Sequence, residues 1–274
     1  MPEAPEIIIT ARYLLDKIKN KLLTNVEVIS GRYTHQELLG YEKLSYPYKI
    51  KNIFTKGKFL WIELSKNTYT FITFGMTGSF SSTDSKNTRI QFTINNKKLN
   101  FIDPRNFGTI EFTTDKNTLL QKLNKLAPDV LQTIITDAEI ADRIVKFNQT
   151  RKNKNLVKVL MDQSLIVSGI GNYLCAEILY DAKLNPHRET ISLSHKELLT
   201  LSHSIRKIAK YAYFDNTTDY IDCMSDLIDF HPDIIVKPFS LQVYQQQYDK
   251  HNNKIVRDEI IKGRIIHWVP EIQV

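Results

Sequence analysis

Apolar and polar positions along this chain change rhythm three times. From about Pro5, the residues Ile7, Ala11, Leu14, Leu15 and Ile18 recur at helical spacing and predict an amphipathic first helix. Proline suits a first helical turn, where its missing N–H costs nothing. Short alternating runs bounded by turn residues follow: Val26–Ser30, Tyr48–Phe54, Phe59–Leu64, Tyr69–Phe74, Arg89–Ile94, Lys98–Phe101 and Gly108–Phe112 read as strands. Asn95-Asn96 predicts a hairpin turn, and strands at this spacing suggest a sandwich or barrel. From about Leu119 the spacing becomes helical again, with helices expected at Leu156–Met161, Tyr173–Ala182 and Ser194–Tyr213. Ser194 with Glu197 three residues on has the form of a capping box. The tail reverts to β: Leu241–Tyr248, a turn near His251-Asn252-Asn253, then Lys254–Ile260 and Arg264–Val269. The expected class is α+β. Residues 1–115 hold a helix and β-domain, 116–150 a linker or helical connection, 151–239 a helical domain, and 240–274 a terminal hairpin.

Charge and cysteine content narrow this picture. The formal net charge of +7 over 274 residues suggests a polyanionic partner. Lys122, Lys125, Arg143, Lys146, Arg151, Lys152, Lys154 and Lys158 crowd the middle of the chain, either as a binding surface or as solvated helix faces. Only Cys175 and Cys223 occur, which excludes a disulfide scaffold and a four-cysteine zinc site. The expectation is therefore no metal, no cofactor and an intracellular, reducing compartment. No secretory signal and no membrane span are expected.

The candidate chemistry begins at the N-terminus, Met1-Pro2-Glu3-Ala4-Pro5-Glu6. Removal of Met1 would leave Pro2 with a free secondary amine. An α-amine has a reference pKa of roughly 7.7–8.0, so more of it is neutral and nucleophilic at neutral pH than of a lysine. Attack on a sugar C1′ would give an iminium, a covalent intermediate that divides one hard step into easier ones. Glu3 and Glu6 are three apart and share a face if this turn is helical. A capped surface helix with ordinary first-turn acids accounts for the same residues. Further on, Ser168-Gly169-Ile170-Gly171-Asn172 places two glycines before a helix, with Asn172 where an N-cap belongs. A helix N-terminus of this kind can bind phosphate, and a plain glycine-turned helix hairpin is the other reading.

Taken together, these segments closely resemble the Fpg/Nei family of DNA glycosylases, in family order along essentially the whole chain. Met-Pro-Glu-x-Pro-Glu stands at residues 1–6 and Gly-x-Gly-Asn at 169–172. Lys56-Gly57-Lys58-Phe59-Leu60 resembles the family's lysine-bearing hairpin. Phe74-Gly75-Met76-Thr77-Gly78-Ser79-Phe80 and Asp103-Pro104-Arg105-Asn106-Phe107-Gly108 are similar to its two intercalating loops. Lys262-Gly263-Arg264-Ile265-Ile266-His267-Trp268 is similar to its last hairpin. The resemblance implies a two-layer β-sandwich and a helix-two-turn-helix domain. It implies Pro2 as nucleophile, Glu3 in proton transfer, Glu6 in support and Lys58 as a second essential cation. Asn172 and Arg264 would grip phosphates, and Met76, Arg105 and Phe107 would fill the space left by an extruded nucleotide. Taken singly, Met76 reads equally as a turn hydrophobe, Arg105 as a surface cation and Phe107 as core.

The implied activity is a DNA glycosylase/AP lyase acting on damaged DNA as a monomer. The absence of cysteine after Cys223 resembles the zincless finger of the Nei-like branch. There Ile255, Ile260, Ile261, Ile265, Ile266 and Trp268 would supply apolar packing instead of metal. Thr73-Phe74-Gly75 and Ala176-Glu177-Ile178-Leu179-Tyr180 lean the same way. That branch favours oxidised pyrimidines and ring-opened purines or hydantoins, with 8-oxoguanine lower. Ala212–Pro238 is expected to discriminate among them. The stretch from Asp162 to Gly169 is one residue longer than is usual in the family. The rival classes are a non-catalytic DNA-binding protein on this scaffold, an 8-oxoguanine-specific Fpg-type enzyme, and an RNA- or ribosome-associated protein.

Overall fold

The computed structural model describes residues 2–150, 154–218 and 240–274. Arg151, Lys152, Cys223 and positions 219–238 of the expected discriminating stretch lie outside the described residues. The chain forms two compact units. One contains Pro2 and Glu6–Asn124, the other Glu3–Pro5 and Lys125–Val274.

In the first unit, helix α1 (Ala4–Ile18) contributes from Glu6 onward. Ile7, Ala11, Leu14 and Ile18 are buried, and Leu15 packs on the edge of the same core. Eight strands follow: β1 (Leu22–Val28), β2 (Tyr48–Lys56), β3 (Phe59–Leu64), β4 (Tyr69–Thr73), β5 (Ser79–Ser81), β6 (Thr88–Ile94), β7 (Lys97–Ile102) and β8 (Thr109–Thr113). Their order is β5-β7-β6-β1-β2-β3-β4-β8, with every neighbouring pair antiparallel. The β1–β2 join is short, Leu22 opposite Lys49 and Leu23 opposite Tyr48, and divides the strands into the two four-stranded halves of a sandwich. Alternation explains the filling: Tyr48, Ile50 and Ile53 point inward from β2, while Lys49, Lys51 and Phe54 are exposed. Tyr48, Leu60, Ile72, Ile90, Phe101 and Ile110 complete the core, each aliphatic contributing about 1.5–3 kcal/mol of burial. Helix α2 (Lys116–Asn124) closes the unit.

Two turns in this unit follow from their residues. Asn95 and Asn96 both have positive φ (44° and 61°) and join β6 to β7 as a type I′ pair would. Gly57 (φ 58°) is the first of two turn residues between β2 and β3, as a type II′ hairpin requires, and Lys58 is the second.

The second unit is helical: α3 (Asp137–Thr150), α4 (Leu156–Met161), α5 (Asn172–Asp181) and α6 (His195–Thr218). The Ser194–Glu197 capping box forms, with Ser194 N donating to Glu197 Oε2 at 2.7 Å and Glu197 N to Ser194 Oγ at 3.3 Å. Strands β9 (Val256–Ile261) and β10 (Arg264–Trp268) make the terminal hairpin around Gly263, φ 74°. Leu241–Tyr248, expected as a strand, is not one. It forms turns, with a single bridge from Tyr248 to Lys254. Its amides bond instead to a helix side chain, as described below. No described helix is long and apolar enough to cross a membrane.

Candidate active site

Glu3 is not an ordinary first-turn acid. The residue is fully buried and precedes α1, so it does not share a helical face with the partly exposed Glu6. Its carboxylate accepts backbone N–H bonds from the start of α5: Gly171 at 2.5 Å, Tyr173 at 2.9 Å and Leu174 at 3.3 Å. A helix N-terminus offers unpaired amides and the positive end of its dipole. Here a carboxylate of the same chain takes both. Three of the amides that the glycine turn offers to a phosphate are therefore engaged by Glu3. Beside Glu3, Ala4 N donates to Gly169 O at 3.1 Å, which ties the N-terminal segment to the glycine turn. Gly169 has φ 113°, a backbone conformation that suits glycine.

Pro2 immediately precedes Glu3 and is partly exposed. Glu6 lies in the first turn of α1, and Lys58 stands at the β2–β3 turn, half-buried. The neighbouring Lys56 donates Nζ to Leu123 O at 2.9 Å, completing the C-terminus of α2.

Met76, Arg105 and Phe107 occupy two loops of the first unit, and all three are exposed. Met76 is 39 % and Phe107 52 % accessible, so the reading of Phe107 as core fails. The Arg105 guanidinium lies 5.0 Å from the centre of the Phe107 ring, a cation–π contact.

Asn172 and Arg264 come together within the second unit. Asn172 is not the N-cap of α5. Gly171 is, with φ −125° and no side-chain cap bond, and Asn172 is the first helical residue. Its Nδ2 donates to Ile265 O at 2.9 Å, one residue beyond the exposed Arg264. A carbonyl only accepts, so the amide presents its NH₂ to the hairpin.

The basic cluster of mid-chain divides. Lys122 pairs with Glu111 at 2.8 Å, and Arg143 donates to Ile166 O (2.7 Å) and Leu165 O (3.0 Å). Lys125, Lys146 and Lys158 stay exposed.

Two residues important to this geometry were not singled out from sequence. Gln163 accepts from Gly169 N at 2.7 Å and donates to Met161 O and Ile170 O at 2.9 Å, fixing the glycine turn from inside. Glu177 is buried in α5 and accepts the amides of Gln242, Val243 and Tyr244 at 2.9–3.0 Å. Burial pushes its carboxyl above the ordinary range while these three amides pull it back. A lone acid within the run Leu174–Tyr180, otherwise apolar, was the available signal.

The hairpin rests on Ile255, Ile266 and Val269, which are buried. Ile265 is 48 % exposed, so its expected place in the packing is corrected; it faces the wrong side of β10. Asp258 Oδ2 bridges His187 Nε2 and Trp268 Nε1, each at 2.7 Å. No group of three or more metal-ligating side chains exists among the described residues.

Residues 1–110 match the formamidopyrimidine-DNA glycosylase N-terminal domain, and residues 126–219 match its H2TH domain. The formamidopyrimidine-DNA glycosylase of Carboxydothermus hydrogenoformans is 30 % identical over 292 residues, covering 100 % of both chains. The chain belongs to the formamidopyrimidine-DNA glycosylase family. A Prochlorococcus marinus (strain MIT 9215) member is 28 % identical over 306 residues, again end to end. The fold agrees with Lactococcus lactis Fpg in complex with FAPY-dG-containing DNA (TM-score 0.80, 22 % identity, 99 % of each chain). It agrees also with the Thermus thermophilus MutM (Fpg) protein (TM-score 0.77, 21 % identity, 99 % of this chain and 98 % of that one).

Proposed function

We propose that this family member is a bifunctional DNA glycosylase/AP lyase of base-excision repair. Pro2, exposed by removal of Met1, bonds through its nitrogen to the sugar C1′ as the damaged base departs. The resulting iminium permits proton abstraction from the sugar and then β- and δ-elimination, leaving a one-nucleotide gap with phosphate ends. Glu3 handles protons next to the nucleophile, Glu6 supports it, and Lys58 assists proton transfer and holds phosphate. Asn172 and Arg264 grip the strand, and Met76, Arg105 and Phe107 occupy the space of the extruded nucleotide. A base inside a duplex cannot be reached, and apolar wedges offset part of the few kcal/mol that unstacking costs.

The observation that carries this reading is Glu3. A carboxylate fully removed from water and bound by three amides, one residue after Pro2, has no place in a merely capped surface helix. Borohydride trapping on an abasic duplex tests it. The wild type should cross-link through its N-terminus, and Pro2→Gly cutting at the wild-type rate sinks the nucleophile. Mass spectrometry that finds Met1 retained on active protein sinks it as well. A non-catalytic DNA-binding protein would bind but never trap.

Ring-opened purines head the proposed substrates, because the relatives bear the name formamidopyrimidine-DNA glycosylase. Oxidised pyrimidines and hydantoins follow on the strength of the Nei-like residues. Parallel excision assays on formamidopyrimidine, thymine glycol, hydantoin and 8-oxoguanine duplexes decide the order, and a clear preference for 8-oxoguanine would reverse it. The enzyme acts as a monomer without metal, the terminal hairpin serving as a zincless finger.

A further inference from the structure

The loop with Met76 and the loop with Arg105 and Phe107 meet through one buried carboxylate. Asp103 is fully buried. Its Oδ1 accepts the Thr77 hydroxyl, and its Oδ2 accepts Gly108 N at 2.6 Å. The Thr77 hydroxyl in turn accepts Arg105 N at 3.2 Å. One hydroxyl beside Met76 thus sits between the Asp103 carboxylate and the Arg105 backbone. The loops are also pressed together sterically. A Cβ on Gly75 (φ 56°) would lie 2.7 Å from Gly108 N and 2.8 Å from Phe107 Cβ.

The second loop is braced from behind. Arg89 donates to Asp103 O at 2.7 Å, Pro104 O at 3.2 Å and Ser30 Oγ at 2.8 Å, and Arg32 donates to Asn106 O. Asn106 itself has φ 56°, which asparagine tolerates better than most residues. The backbone of 103–108 is therefore held at nearly every residue, while the side chains of Arg105 and Phe107 remain outside.

We infer that Asp103 and Thr77 are positioning residues: a carboxylate–hydroxyl bolt that locks the two loops into one rigid wedge before DNA arrives. This deepens the proposed function and rests on its reading of Met76, Arg105 and Phe107. Neither residue touches the reacting atoms. A wedge ordered in advance does not lose side-chain and loop freedom on binding, and that saving favours extrusion of the nucleotide. An acid at 103 and a hydroxyl at 77 are both needed, because a buried acceptor or donor left without its partner is costly.

The test uses the full chain with Thr77→Val, Thr77→Ser and Asp103→Asn. Extrusion is followed by 2-aminopurine fluorescence opposite a lesion in duplex DNA. Cleavage at an abasic site in a single strand, where no second strand leaves a hole to fill, is measured alongside. Thr77→Val and Asp103→Asn should slow duplex extrusion about ten- to a hundredfold. Single-strand cleavage should stay within about twofold of wild type, and Thr77→Ser should restore most of the duplex rate. Wild-type duplex extrusion in Thr77→Val overturns the bolt. So does an equal loss on single strands, which would mark a general folding defect, and so does a failure of serine to rescue. If the wild type itself neither extrudes nor cleaves, the proposed function has failed instead.

Discussion

Glu3→Gln separates a carboxylate that organises the second unit from one that merely decorates a helix. In the wild type, Oε2 accepts Gly171 N (2.5 Å) and Leu174 N (3.3 Å), and Oε1 accepts Tyr173 N (2.9 Å). Glutamine keeps one oxygen. Whichever way its amide turns, an NH₂ then faces backbone N–H, either that of Tyr173 or those of Gly171 and Leu174, and a donor meets a donor. Hydrogen bonds to a charged acceptor are worth about 1.5–3 kcal/mol against about 1 for neutral ones. Loss of negative charge at a helix N-terminus costs about a further 0.3–1 kcal/mol, up to about 2 when partly buried. Relief of the buried charge's desolvation works in the other direction. The net expectation is a loss of about 1–3 kcal/mol, whereas an exposed first-turn acid would lose a few tenths. Urea unfolding followed by circular dichroism should show a lower midpoint at unchanged slope. Glycosylase activity, measured where the variant is still folded, should fall much further than stability does. A midpoint equal to or above wild type would show that the three amides do not depend on the carboxylate and would refute the reasoning.

The remaining expectations concern the strand grip and the hairpin. Arg264→Ala should weaken duplex binding evenly across sequences and reduce the log–log salt slope by about 0.9; an unchanged slope removes Arg264 from the phosphate grip. Asp258 is held below its ordinary 3.8 by the His187 hydrogen bond, with a further contribution from Trp268. Its stabilising effect is therefore complete above pH 3.8 and disappears as pH falls through the lowered folded value. In a Trp61→Phe background, Trp268 emission should shift to the red in that acid range, and Asp258→Asn should show the shift at neutral pH. Identical emission in the two proteins would dismiss the bridge. Prolonged chelation should leave melting temperature and activity unchanged, with no zinc in the dialysed protein; a stoichiometric metal would end the zincless reading.

Local periodicity made the β-domain legible. Seven of the eight strands of the first unit were expected within a few residues, because runs of apolar, β-branched and aromatic residues bounded by turn residues mark them, with clear alternation in β2 and near-continuous burial in β4. The eighth, Ser79–Ser81, is three residues long and exposes Ser79, so no alternation marks it. Leu241–Tyr248 failed for a different reason. Its alternation looks like a strand, but the amides of Gln242, Val243 and Tyr244 go to Glu177, more than sixty residues earlier, and a single acid in an apolar helix does not reveal its partner. The same limit hid the place of Glu3. Sequence showed an acid beside a candidate nucleophile, while the contact with α5 is a pairing across 168 positions. Asn172 was expected at its helix start, yet its amide reaches forward to Ile265 across 93 positions rather than back to its own turn.

Under the proposed zincless reading, distant pairings of this kind would do in the hairpin what a metal does elsewhere. Four thiolates would fix a short hairpin by themselves, since each ligand is tied to one point. Here the duties are distributed. Asn172 holds Ile265 O, and Asp258 joins His187 to Trp268. Gln273 accepts from Val269 N and donates to Leu184 O, and Val274 N donates to Lys183 O. Each neutral bond contributes only about 0.5–1.5 kcal/mol, so no single one replaces a structural zinc site. The bonds act together because the buried Ile255, Ile266 and Val269 exclude water from behind them. The hairpin's order then depends on the packing of the helices it touches, and Asn172 belongs both to that packing and to the proposed grip on the strand. Under the proposed reading Arg264 is aimed only while the start of α5 is intact, so folding of the helical unit and readiness of the strand grip become one equilibrium.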